Sequence, residues 1–155
     1  MKTIIINIKS GDVLAEVGRI TAYTGVKSDD SDSGALFERV AIVEEDADLF
    51  ARYWRDACAI VAERLKQFVG GAGFGREELS LNLEVSGAFD DSLSPSVETA
   101  VFSVIAALLS ARWFRLSMKE KAEEWEEEAS RLLAEIERML FHRRAPRRKK
   151  QLTSN

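Results

Sequence analysis

The sequence predicts a mainly α fold: a helical bundle of four to five helices with a small two-stranded β element. Three observations carry that expectation. Apolar residues recur at helical spacing over most of the 155 residues. Two short runs alone alternate with the period of a strand. Helix start and stop signals, Ser94-Pro95 and Gly25 among them, punctuate the helical stretches.

Thr3 to Ile8 is a β-branched run suited to a short strand. Ser10 or Asp12 caps a helix in which Val13, Leu14, Val17 and Ile20 follow at helical spacing, and Gly25 ends it. Residues 27–34, KSDDSDSG, form a polar loop. A helical pattern resumes near Ala35 with Leu36, Phe37, Val40 and Val43, and breaks at Glu44, Glu45 and Asp46. Acids there suit the first turn of the next helix, which is predicted over about 46–69 with a broad apolar stripe through Trp54, Ile60 and Leu65.

GGAGFG at 70–75 breaks that helix and reads as a flexible connector. Leu79, Leu81, Leu83 and Val85 then alternate with polar residues, predicting a half-buried strand over 79–86 that pairs with the N-terminal one. Helices must cover so small a sheet. Ser94-Pro95 starts a helix running to about Leu116, with serine as cap and proline in its first turn. Ser117-Met-Lys-Glu120 has the form of a capping box for a last helix over about 118–142. In it Ala122, Trp125, Ala129, Leu132, Ile136 and Met139 step by 3 and 4, a heptad seam widened by Leu133 and Leu140. On that seam Leu132→Ala should cost about 2–5 kcal/mol. The short connection makes the last two helices an antiparallel pair.

Residues 1–144 are expected to form one helical domain and 145–155 a basic flexible tail, mobile until a partner orders it. With 46% apolar residues, the chain buries a core without disulfides or metal. The longest uncharged stretch, Thr99 to Arg112, is too short to cross a bilayer and reads as a buried helix. No secretory signal is visible, and no membrane association is expected. The net charge of −4 is uneven: RRAPRRKK at 143–150 holds six of the 22 basic residues, leaving 16 basic against 26 acidic, −10, elsewhere.

Catalytic chemistry finds little purchase in these residues. The single cysteine and single histidine, Cys58 and His142, form a conceivable pair, but Cys58 sits mid-helix as a small core residue. Asp29 to Gly34 approximates a calcium loop, yet its twelfth position is Val40 where a glutamate is required. GGAGFG leaves a helix and enters a strand, the reverse of a phosphate-binding order. Glu123, Glu124, Glu126, Glu127 and Glu128 read as a solvated helix face. The residues that point outward to a partner are Arg112, Trp113 and Arg115, where aromatic and cationic side chains meet at a helix end, with core packing as the alternative for Trp113. The basic segment Arg143, Arg144, Arg147, Arg148, Lys149 and Lys150 suits phosphates or an acidic protein surface; it contains no aromatic residue to stack on bases.

LSLNLEVS, AFDDSLSPSVETA, the helix ending ARWFRLSMKEKAEEW and the closing MLFHRRAPRR together resemble small virion proteins of phages and prophages of Bacteroides-type bacteria, the head–tail connector, neck or ring proteins. GDVLAEVGRITAYTG and DLFARYWRDACAIVAERLKQF are similar to them as well. The acid-rich start of the last helix departs from that pattern. The resemblance implies a non-enzymatic structural subunit of the virion, assembled in the host cytoplasm. Such a subunit forms a homo-oligomeric ring and docks portal or tail proteins, without cofactor or small-molecule substrate. The alternative is a nucleic-acid-binding accessory protein that uses its basic tail for non-specific DNA contact.

Overall fold

The computed structural model of the protein describes residues 1–27 and 46–146. Its elements are β1 (Lys2–Lys9), α1 (Ser10–Lys27), α2 (Ala47–Arg64), β2 (Val69–Phe74), β3 (Glu78–Val85), a 3-10 turn (Asp91–Leu93), α3 (Ser94–Phe114) and α4 (Lys119–Phe141). The fold is mainly helical, with four helices among the described residues. The helical pattern expected from Ala35 to Val43 lies outside them.

The sheet corrects one expectation. β1 and β3 pair antiparallel as anticipated, from Lys2 opposite Val85 to Lys9 opposite Glu78. The strand order, however, is β1-β3-β2, so the sheet has three strands, and the supposed connector GGAGFG supplies most of the third. Period-two reasoning misses β2 because glycine and alanine give it no apolar–polar alternation to detect. What β2 contributes is backbone, paired to β3 from Val69 opposite Leu83 to Phe74 opposite Leu79. A bulge falls between Val69 and Gly71. There a Cβ on Gly70 would come within 2.6 Å of the Glu84 carboxylate. To bring Val69 into the sheet the chain must turn sharply, so α2 ends at Arg64 rather than near 69. The turn that follows buries Leu65 and Phe68, with the Phe68 N–H donating to the Leu65 carbonyl at 2.8 Å.

β3 buries Leu79, Leu81, Leu83 and Val85, and β1 buries Ile6 and Ile8 with Ile4 packed alongside. These residues share one core cluster with Val13 and Val17 of α1, Trp54, Ala57, Cys58 and Val61 of α2, much of α3, and Leu133, Ile136 and Leu140 of α4. α3 is the centre of this arrangement. It is apolar around most of its circumference, buries twelve of its 21 residues and touches α1, α2, α4 and β1. With the preceding turn, the segment Asp91–Phe114 is 24 residues long and contains a stretch of mean hydropathy 1.5, long and apolar enough by composition to cross a membrane. That exceeds what the uncharged run Thr99–Arg112 suggested, because the helix extends past Glu98. The elements packed around α3 account for its apolarity. Its one fully buried hydroxyl, Ser110, donates to the Ala106 carbonyl at 2.8 Å.

The caps differ from those expected. Ser94 does not cap α3; the Asp90 carboxylate accepts from the Ser92 N–H and caps the 3-10 turn, which leads into α3. The capping box at Ser117 is not formed, since Met118 occupies the N-cap of α4 without a side-chain bond. The turn at 115–118 is closed through backbone instead, with the Ser117 and Met118 N–H groups both donating to the Phe114 carbonyl. α3 and α4 pack more extensively than any other pair of helices.

The buried face of α4 is Ala122, Ala129, Leu133, Ile136 and Leu140. It is rotated from the expected seam, for Trp125, Leu132 and Met139 lie at its edge, half-buried. Ile136→Ala should therefore cost about 2–5 kcal/mol and Leu132→Ala distinctly less, because the smaller change in buried area leaves a smaller cavity. Paired denaturant titrations check the order; equal midpoints would place both side chains in equivalent environments.

Candidate interaction surface

Two groups of residues were expected to face a partner, and the fold holds them at opposite ends of α4. That helix has 23 residues, about 34 Å at 1.5 Å per residue. Arg112, Trp113 and Arg115 sit at the corner where α3 turns into α4. Arg143 and Arg144 lie just past the end of α4. Arg147, Arg148, Lys149 and Lys150 lie outside the described residues.

At the corner, most of the reach is used within the chain. The Arg112 Nη2 donates to Asp56 Oδ2 at 2.7 Å, and its guanidinium lies 5.1 Å from the centroid of the Tyr53 ring. Tyr53 and Asp56 are one helical turn apart on α2, so a single face presents both. Partly exposed, the ion pair is worth about 0.2–1 kcal/mol. Arg115 donates to the Glu126 carboxylate on α4. Trp113 is buried at 8% exposure in a small cluster with Phe114 and Ala122, flanked by Leu49, Tyr53 and Trp125. Leu116 beside them is 67% exposed.

The basic end is tied down differently. His142 leaves the helix in an extended conformation. Arg143 forms an isolated backbone bridge with Phe89, and the Arg144 N–H donates to the Ala88 carbonyl at 2.7 Å. The Arg144 guanidinium stands 3.8 Å from Asp90, whose carboxylate also accepts from the Ser92 hydroxyl at 2.8 Å. The bonds from Ser92, aided by Arg144 and His142, hold the Asp90 carboxyl below the usual carboxylate range. On the same loop Lys2 donates to Asp91 at 2.8 Å and to the Phe89 carbonyl at 3.3 Å. Phe141 meets buried Phe68 edge-on, centroids 4.9 Å apart, yet is itself 60% exposed. The Arg143 side chain projects at the surface.

Neither end assembles a reactive group. Burial pushes the Cys58 thiol up to about 12, so it stays protonated at neutral pH and packs as a small core residue. His142 is exposed at the end of α4. Among the described residues no group of three His, Cys, Asp or Glu could hold a metal ion. A cleft of about 500 Å³ opens between β1 and the start of α3, lined by Lys9, Asp12, Glu98, Thr99 and Phe102 among others, a mixture of charge signs and apolar surface.

Sequence reasoning had no way to find Asp56 and Tyr53 as partners of Arg112, because they lie more than 50 positions away with no local pattern joining them. Asp90 did leave a signal: an aspartate two residues before a serine is the pattern of a side-chain-closed turn. Comparison of the chain with known protein families, with characterised proteins and with solved structures finds no match.

The lowered Asp90 value has a definite sign. A carboxyl whose folded value is depressed stabilises the fold above the unfolded value of about 3.9 and loses that contribution as pH falls through the folded value. Asp90→Asn should lower the melting temperature at neutral pH, and the difference from wild type should close as pH drops below about 3.9. Melting curves across that range check it; a gap that persists at the acid end would assign the loss to packing.

Proposed function

We propose that the chain is a non-enzymatic structural subunit of a virion, a head–tail connector of the neck or ring kind, that assembles with copies of itself and docks neighbouring virion proteins such as portal or tail subunits. The observation that carries this reading is the basic end. Backbone bonds from Arg143 and Arg144 to the 88–89 loop fix where the chain leaves the described fold, and they do so with Arg143 exposed and Phe141 uncovered beside it. The sequence continues from that point with four more cations among residues 147–150. An anchored point of exit next to an exposed aromatic is suited to gripping an acidic protein surface, since cations steer the encounter and an aromatic anchors it.

The resemblance to connector proteins supports the same reading. Mass spectrometry of purified particles should find the chain at a stoichiometry that is a multiple of the portal's symmetry. Its absence from particles would remove the proposal.

The second reading, a nucleic-acid-binding accessory protein, draws on the same six cations at 143–150. Deleting residues 145–155 discriminates the two. For a docking tail the truncated chain loses affinity for its protein partner, most at low salt, and binds DNA no differently from the full chain. For a nucleic-acid tail it loses DNA affinity, and the slope of log K against log salt becomes shallower by about 0.9 for each phosphate that the tail no longer neutralises.

A further inference from the structure

We infer that the face of α4 turned away from the core is a self-complementary interface, on which a second copy of this chain packs antiparallel about a two-fold axis. The inference rests on the assembly reading above only in that the chain associates with its own copies; a two-fold contact closes on two copies and would join subunits in pairs rather than build the ring itself.

The inner face of α4 is committed to the core through Ala122, Ala129, Leu133, Ile136 and Leu140. On the opposite side Glu120, Glu123, Glu127, Arg131, Ala134 and Arg138 follow at steps of 3 and 4, so they form one exposed stripe. The stripe is acidic at its start and basic at its end. In the middle Arg131 is held within the chain by Glu128 and Glu135, at 2.7 and 3.2 Å. The ends are not. Glu120, Glu123 and Glu127 at one end, and Arg138 at the other, make no side-chain ion pair or hydrogen bond among the described residues. Lys119 is a further charge at the acidic end; it lies about 100° round the helix from Glu120.

A helix with carboxylates at one end and guanidinium groups at the other is complementary to its own antiparallel copy. Placing Glu120 of one copy opposite Arg138 of the other sets the register for the whole length. In that register Glu127 falls opposite Arg131, Glu123 falls level with Ala134 and Glu135 and gains no cation, and Leu116 falls within one residue of Phe141. Those two are among the most exposed large apolar side chains of the protein, 67% and 60%. The pairing therefore closes with an apolar contact at each end and charge contacts between, and small Ala134 lets the helices approach. Every contact occurs twice, as a two-fold interface requires.

The test uses the full chain and two charge-reversed forms, Glu120→Lys/Glu127→Lys and Arg131→Glu/Arg138→Glu, which reverse the two sides of the same pairs, studied by sedimentation velocity at low and high salt. Circular dichroism melts confirm that each form is folded. Wild type should sediment as a salt-sensitive dimer. Each double variant should dimerise about tenfold more weakly or worse, since repulsion replaces attraction at both symmetry-related ends. An equimolar mixture of the two variants should recover association as a heterodimer. A folded variant that dimerises like wild type, or a mixture that stays monomeric, overturns the interface. Closed rings of more than two copies that ignore both reversals also overturn it, yet leave the assembly reading in place. A wild-type chain that is monomeric at every salt concentration overturns the interface too; the assembly reading is then decided separately by the particle analysis.

Discussion

The packing of α3 is the constraint from which the rest of the structure follows. A helix apolar around most of its circumference, with its exposed polar residues confined to its first turns, has little surface that tolerates water, so several elements must cover it. β1, α1, α2 and α4 all pack against it. Alanines make this feasible: Ala100, Ala106, Ala107 and Ala111 are all buried on α3 and keep its profile thin enough for neighbours on several sides. Two polar groups near its end are satisfied within the chain, Ser110 by its own helix and Arg112 by Asp56 of α2. Burying either unpaired would oppose folding.

That constraint also explains why the small sheet needs no second layer. β1 and β3 present Ile6, Ile8 and four β3 side chains to the same core that α3 occupies, while Thr3, Ile5, Asn7 and Glu84 on the other face remain exposed. β2 adds a strand of backbone and little burial. The chain then has to return from β3 to the start of α3. The 86–93 loop does this under three ties: Lys2 from β1, Asp90 closing the turn, and residues 143–144 arriving from the far end of α4. The first strand and the last described segment thus meet at one loop, and the basic end is placed by the same contacts that close the fold.

How much of this was legible in the sequence depended on whether side chains carried the signal. The alternation of Leu79, Leu81, Leu83 and Val85 gave β3 and, by elimination, its pairing with β1. The helices were visible from their apolar periods, and the α3–α4 pair from a connection too short for any other arrangement. β2 was invisible because its signal is backbone pairing across the sheet, a non-local property that Gly-Gly-Ala-Gly does not encode in hydropathy. The caps failed for a related reason. Ser94 and Ser117 fit the local pattern, but Asp90 captured Ser92 first, and Met118 was drawn into the turn by Phe114. On α4, two registers of apolar residues, 122-129-136 with 125-132-139 or with 133-140, were equally helical in spacing. Packing against α3 buries the second, with Leu133 and Leu140 inside and Leu132 and Met139 at the edge. Of the expected partner-facing residues, Arg143 alone is both described and exposed without an ion pair among the described residues; Arg112, Arg115 and Arg144 have acidic neighbours that no local pattern predicted.

The charges on α4 have an internal explanation that competes with an external one. Acids near a helix start and bases near its end stabilise the helix through its dipole, each by about 0.3–1 kcal/mol, and that alone predicts the sign at both ends. The effect fades within the first and last turns, however. Glu120 and Arg138 fall inside that range. Glu123 is already beyond the first turn, Glu127 lies two turns in, and Arg143 is past the helix altogether, where a backbone bridge rather than the dipole holds it. Pairing inside the helix does not account for them either, since the intrahelical ion pairs go to Glu124, Glu128 and Glu135. Glu123 and Glu127 therefore remain, on the outer face of the helix, as charges that neither the dipole nor local pairing uses. A rigid helix fixed by five buried residues on its inner face holds those charges at constant separation. Constant separation is the property that lets one surface recognise its own copy.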